Sequence, residues 1–323
     1  MNRNLLPLLS LIVISILLFS CKKEEVAKLE VYPKLSDYKM YQGKYSDLIP
    51  SSNYHLYEES SMLFTDSCEK QRLILLPAGT KMTATVDGLP SFPEGTILAK
   101  TFYYFNDKRD HSKGKKIIET RVLIYTDGAW TGGTYEWNAE QTDGVHITEG
   151  KSMPVSWIDE IGKPHAITFS IASDIACFTC HKDNNKIVPV GPQIKHLNMD
   201  VTRDNKKVNQ LTYFQNIGLM NTMNPASFSK VADSEDTSLS VADRARGYLD
   251  INCGYCHSKT GDAALALKKI YFNYEYPIEQ TNIKSYKTDI IKEMAKGTMP
   301  KIRSFLIDDR AVALVTQYLN ELP

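Results

Sequence analysis

The hydrophobic pattern changes period along the chain. From position 73 to about 148 the period is two. Ile118, Thr120, Val122 and Ile124 alternate with Glu119, Arg121, Leu123 and Tyr125, the spacing of a strand whose two faces meet different surroundings. The run stops at Asp127-Gly128, a pair suited to the positive-φ positions of a tight hairpin turn, and the return strand holds Trp130, Tyr135 and Trp137. Further turn signals stand at Asp87-Gly88 and Asp143-Gly144, and Phe102-Tyr103-Tyr104-Phe105 is strongly β-prone. These features predict an antiparallel sandwich or barrel-like domain. Its Trp and Tyr residues could form a sugar-binding platform, although core or cross-strand packing is the commoner use of aromatic residues in strands. Residues 167–176 also read as extended.

The last third changes to a helical period. Ser240 and Asp243 suit a capping box, after which Val241, Ala245, Tyr248, Leu249 and Asn252 share one face and lead into Cys253. A final helix is predicted near Asp308-Asp309, whose charges favour a helix N-terminus, with Ala311, Val315, Tyr318, Leu319 and Leu322 on one side. Between the two helices, Met299-Pro300 after Gly297 reads as a loop. Residues 231–239 are polar and rich in Ser, Asp and Thr, the composition of a linker. The expected fold is therefore multidomain, a mainly β N-terminal domain followed by a mainly α region that carries two Cys-x-x-Cys-His sequences. The expected divisions are 1–21 as a signal segment, 22–165 as the β-rich domain, 166–235 as a region with the first of these sequences and the linker, and 236–323 as a domain with the second.

Charge narrows the partners. Lys plus Arg total 38 and Asp plus Glu total 38, so no net field favours nucleic acid or an anionic membrane surface. The N-terminus points elsewhere. Arg3 is followed by an apolar run and then a small residue before Cys21, the order of a secretory signal. Leu18-Phe19-Ser20-Cys21 looks like a bacterial lipobox, which implies lipidation at Cys21. The Lys22-Lys23-Glu24-Glu25 stretch after it resembles the surface-export signal of some bacterial lipoproteins.

The main chemical signal is Cys-x-x-Cys-His, present as Cys177-Phe-Thr-Cys180-His181 and again as Cys253-Gly-Tyr-Cys256-His257. It is the local chemistry of c-type haem attachment. On a helical turn Cys i and Cys i+3 face the same way, so both thiols reach the vinyl groups of one porphyrin, and the following His reaches the iron. Random placement would produce one such pentapeptide in roughly 0.2% of chains of this composition and two in only a few per million, which makes coincidence a poor explanation. A zinc ribbon also repeats Cys-x-x-Cys, but its pairs usually lie about 15–20 residues apart. A thioredoxin-like pair lacks the preceding buried strand, and two ordinary disulfides leave both His residues unexplained. Cys68 is left over and reads as a small buried apolar residue.

Two covalent haems therefore form the cofactor expectation, with His181 and His257 as proximal iron ligands. Met299 is the distal candidate at the second haem, because a thioether opposite imidazole closes the iron to substrates. At the first haem the distal candidates are Met220, Met223, Met199 and His196, with Met223 preferred for its loop position before Asn224-Pro225.

Residues from about 241 to 323 resemble a class I cytochrome c domain, through Arg244-Ala245-Arg246-Gly247-Tyr248-Leu249-Asp250, the second motif, Met299-Pro300 and Tyr318-Leu319. Gly191-Pro192 resembles the Gly-Pro loop of the same class, which implies that the Pro192 carbonyl orients His181. Nearly all the chain after about residue 35 resembles a bacterial family of dihaem c-type cytochromes with a β-rich N-terminal half. The matching stretches are Leu63-Phe64-Thr65-Asp66, Phe92-Pro93-Glu94-Gly95-Thr96, Ile118-Glu119-Thr120-Arg121, Tyr135-Glu136-Trp137-Asn138, Gly191-Pro192 and Asn209-Gln210-Leu211. This resemblance implies exported electron transfer and brings no substrate with it.

The leading expectation is thus a lipid-anchored cell-envelope cytochrome, periplasmic or outer-membrane surface facing. It would pass single electrons between redox partner proteins, an exported dehydrogenase or another cytochrome among them. Two alternatives stand beside it. One is a dihaem peroxidase-type enzyme with an open first haem. The other is a β-domain binding module with a haem electron outlet, which exposed strand aromatics would favour.

Overall fold

The computed structural model of the 323-residue chain describes residues 30–174, 181–183, 186–261, 269–300 and 306–323. The N-terminal half is built on six strands, β1 (His55–Leu56), β2 (Glu69–Leu75), β3 (Ile97–Phe105), β4 (Lys115–Thr126), β5 (Ala129–Trp137) and β6 (Gly144–Ile147). They form one antiparallel sheet in chain order. The β4–β5 hairpin closes where the sequence predicts, with Thr126 opposite Ala129 and with Asp127 and Gly128 at φ 55 and 73.

Alternation along the strands gives the sheet two faces with different covers. Leu73, Ala99, Val122 and Tyr135 face the N-terminal segment, where Leu35, Tyr38, Met40, Tyr41, Leu48 and Tyr54 complete one core. Its polar stripe is satisfied internally: Tyr41 and Thr101 hydroxyls lie 2.7 Å apart, and Trp137 Nε1 donates to Thr120 at 3.0 Å. On the opposite face, Ile74, Leu98 and Trp130 pack with Ile194, Leu211 and Phe214 at one end. At the other end Phe102 and Tyr104 pack under the hairpin of β7 (Lys151–Ile158) and β8 (Pro164–Ile171), through Val155, Trp157 and Phe169.

The sandwich or barrel expected from periodicity is replaced by an open meander with a separate hairpin. Period-two patterning says that both faces are covered, not by what. The outer edge of β6 is protected by the N-terminal segment, through a Lys34–Val145 bridge and a His146 N–H bond to the Pro33 carbonyl at 3.0 Å. Trp130, Trp137 and Trp157 are all buried, so the tryptophans are core and do not form the platform that a binding module would need. Cys68 is buried beside Phe102 and Tyr104, as expected of a small apolar filler.

Short elements follow: β9 (Lys182–Asp183), β10 (Lys186–Ile187), α1 (Ile194–Leu197), β11 (Asp200–Arg203), β12 (Lys206–Asn209) and α2 (Gln210–Asn216). The C-terminal third holds α3 (Val241–Cys253), α4 (Lys287–Ala295) and α5 (Asp309–Glu321). Ser240 caps α3 by accepting the Asp243 N–H, and Asp308 caps α5 by accepting the Ala311 N–H. Ala245, Tyr248 and Leu249 of α3 bury against Ala311, Val315 and Leu319 of α5, with Ile290 and Met294 of α4 closing the cluster. Among the described residues no helix is long and apolar enough to cross a membrane.

The expected linker is tied down at its start. Val231 and Ser234 are 1% and 3% exposed. The Val231 N–H donates to the Lys195 carbonyl at 3.2 Å, and the Ala232 carbonyl accepts the Ser61 hydroxyl at 2.8 Å. Composition predicts solvation for such a stretch, but here other segments claim its backbone groups. Gly247 on α3 makes this approach possible, since a Cβ there would stand 2.3 Å from the Ala232 oxygen.

Candidate functional site

The second motif grows directly out of α3. The Cys253 carbonyl accepts from Cys256 N–H at 3.2 Å and from His257 N–H at 2.8 Å, so the pentapeptide continues as one tight helical turn. Gly261 lets the chain fold back on that turn, because a Cβ there would lie 2.3 Å from the Cys256 oxygen. Cys253 and Cys256 are not joined by a disulfide. Burial, reinforced by Cys256 and Asp250, pushes the Cys253 thiol up to about 12. That is the reverse of the low-pKa attacking thiol of a thioredoxin-like pair. The His257 ring stands edge-on to Phe272 at 5.2 Å, and its carbonyl accepts the Phe272 N–H at 3.0 Å. Burial lowers the His257 pKa and the Ile270 backbone opposes it weakly; Nδ1 makes no hydrogen bond of ordinary geometry.

Met299 follows α4 in the expected loop. It lines a pocket with Phe64, Tyr248, Pro300, Leu306 and Asp308. His257, Cys253 and Cys256 are not part of that lining, so the pocket does not itself bring the two expected ligands of the second haem together.

At the first motif, Cys177 and Cys180 lie outside the described residues, as does Cys21 at the lipobox. His181 is described. Its Nδ1 lies 2.8 Å from the Val188 carbonyl, and the Val188 N–H donates back to the His181 carbonyl at 2.7 Å. A carbonyl can only accept, so Nδ1 carries the proton and Nε2 keeps its lone pair for a metal. This corrects the sequence reading, in which the Pro192 carbonyl held that place. Pro192 is buried, but the neighbouring Gly191, at φ 114, serves close packing instead, since a Cβ there would fall 1.9 Å from a Glu59 carboxylate oxygen. Burial lowers the His181 pKa to about 3, Lys100 and Arg121 add to the effect, and the Val188 carbonyl opposes it.

The distal candidates separate. His196 has both ring nitrogens engaged, Nδ1 with Ser60 Oγ at 3.0 Å and Nε2 with Asp250 Oδ2 at 2.6 Å, which removes it as a ligand. Met220 is core. Met223 is half-buried against the same apolar cluster that takes in Ile187 of β10, and its N–H is held by Gln215 Oε1 at 2.9 Å. That places Met223 against the cluster reached by the strand after His181, without showing ligation. Sequence reasoning missed Val188, whose backbone atom carries no sequence signal, and the Lys195–Asp250–His196 network, whose members are far apart in the chain.

Among the described residues no three His, Cys, Asp or Glu side chains gather as a metal cluster. Haem iron requires none, since four of its ligands come from the porphyrin and the chain supplies only the axial ones. His181, with its Nδ1 anchored, and His257, at the end of the Cys253–Cys256 turn, each offer an imidazole that fits that requirement. No family model, curated protein or solved structure matches the chain.

Proposed function

We propose that the protein is an exported, lipid-anchored dihaem c-type cytochrome that relays electrons one at a time between redox partner proteins. The observation that carries the proposal is the ring of His181, the last residue of the first motif, held through Nδ1 by the Val188 carbonyl at 2.8 Å. That bond fixes the tautomer in which Nε2 can bind iron and raises its basicity. When bound, haem supplies the one-electron couple. The chain's part is to tether it through Cys177, Cys180, Cys253 and Cys256, to hold iron with His181 and His257, and to complete the second site with Met299. Met223 is the preferred sixth ligand of the first. No side chain in this reading has to act as acid or base. Cys21 would anchor the chain to the cell envelope.

The test is production with a c-type maturation system, followed by haem staining on a denaturing gel and reduced-minus-oxidised spectra. Covalent haem with low-spin bands from both sites is the expected result. Chains that carry no covalent haem would overturn the proposal, and a high-spin first site with rapid peroxide turnover would replace the carrier with the peroxidase-type enzyme.

A further inference from the structure

On the sheet face where Ile187 of β10 packs, three cations stand directly opposite one another: Arg72 on β2 pairs with Lys100 on β3, and Lys100 with Arg121 on β4. Like charges in register across strands are unfavourable, and here they lie between two apolar clusters on the same face, one around Leu98 and the other around Phe102. Counter-charge is incomplete. Glu59 meets Arg72 at 2.6 Å and Glu119 meets Arg121 at 2.5 Å. Lys70 is a fourth cation on this face, 5.8 Å from the Phe102 ring centroid.

Glu69 pairs with Lys108 at 2.9 Å and Glu136 with Lys151 at 2.5 Å. Arg72 has Glu59 as its carboxylate partner and Arg121 has Glu119. Lys100 has neither an ion pair nor a hydrogen bond of its side chain among the described residues. Burial, only partly offset by Glu59, pulls its pKa down to about 7. An uncompensated buried cation is costly, and Lys100, flanked by Arg72 and Arg121, makes this row a site for an anion. His181 is joined to this face through Val188, which bonds both its Nδ1 and its carbonyl, and whose neighbour Ile187 packs into the cluster around Leu98.

We infer that Arg72, Lys100 and Arg121 hold the two propionate carboxylates of the haem attached through the first motif. This rests on the dihaem reading and extends it. Arg and Lys are the side chains that pair with carboxylates. The β-rich half would then form part of the first haem site, placing positive charge where it favours the reduced iron.

The experiment is potentiometric titration of the matured protein carrying Lys100→Gln, Lys100→Met or Lys100→Arg. Each is repeated in a Cys253→Ala/Cys256→Ala background that keeps only the first haem. Lys100→Gln and Lys100→Met should lower the first haem's midpoint while the second haem's stays unmoved, and Lys100→Arg should restore it. Lys100→Met, which needs no solvation of its side chain, decides the matter if the Gln variant folds poorly. A fully haem-loaded variant with an unchanged first midpoint overturns the inference and leaves the dihaem reading intact. A shift seen only in the presence of inorganic phosphate would assign the cations to a free anion and overturn it as well. Absence of covalent haem in the unmutated protein would remove the dihaem reading, and this inference with it.

Discussion

His196 Nε2 lies 2.6 Å from Asp250 Oδ2, joining the segment that follows the first Cys-x-x-Cys-His motif to the helix that leads into the second. The same carboxylate accepts from Lys195 Nζ at 2.7 Å and from the Tyr274 N–H at 2.7 Å. Ser60, from the segment ahead of β2, closes the network on the other His196 nitrogen at 3.0 Å. One buried carboxylate thus fixes three parts of the chain, and in a two-haem carrier it would hold the attachment points at a constant separation.

Removing that charge should be costly. Asp250→Asn leaves Lys195 with only Glu275 and His196 without its charged partner, and breaking a buried ion pair on one side costs about 3–5 kcal/mol. Denaturant unfolding of the variant against the parent protein checks this. A loss below about 1 kcal/mol would show that the network is not a structural tie.

The same group predicts acid sensitivity. Burial would by itself raise the Asp250 pKa, but the His196 hydrogen bond and the Lys195 charge outweigh it and bring it from 3.8 to about 2. A folded-state pKa below the unfolded one contributes stability that is complete above the unfolded value and lost as pH falls through the folded value. Roughly 2 kcal/mol should therefore disappear between about pH 4 and pH 2, and Asp250→Asn should flatten that part of the stability–pH curve.

Gly247→Ala tests the docking of α3. The added methyl would stand 2.3 Å from the Ala232 oxygen and 3.2 Å from Ser61 Oγ. Overpacking of this kind costs about 1–3 kcal/mol, more than the helix-propensity gain of about 1 kcal/mol. A thermal melt should show a lower midpoint.

Haem stoichiometry tests independence of the two sites. In the dihaem proposal, Cys253→Ala/Cys256→Ala should halve covalent haem per chain after acid-acetone extraction and leave the first site loaded. Full retention would mean that the second motif does not attach haem.

Met299→Ala addresses the second iron. Loss of a thioether ligand should leave that haem high-spin or weakly ligated, with a lower midpoint potential. An unchanged low-spin spectrum would assign Met299 to its pocket beside Tyr248 and Phe64 and not to iron.

Local rules made much of the fold legible. The Asp127-Gly128 hairpin, the alternation on β4, the Ser240 and Asp308 caps and the buried faces of α3 and α5 all follow from neighbours in sequence, and each stands where the pattern placed it. Sequence also nominated both Cys-x-x-Cys-His turns, since attachment chemistry needs residues only three and four apart. What it could not supply were relationships between distant positions. Nothing in residues 231–239 announces that Lys195 and Ser61 will claim their backbone, and a polar composition suggested the opposite. Gly191-Pro192 pointed to a proline carbonyl for His181, whereas the return of the chain at Val188 brought a different one to 2.8 Å. Arg72, Lys100 and Arg121 are separate strand positions in sequence, and only the register of β2, β3 and β4 makes them one row. By itself the sequence determined the strands, the capped helices and the candidate attachment turns, because short-range sterics and hydrogen bonding decide those. The tertiary structure decided which carbonyl meets His181, which carboxylate meets His196 and where positive charge accumulates, because these depend on which distant surfaces are buried together.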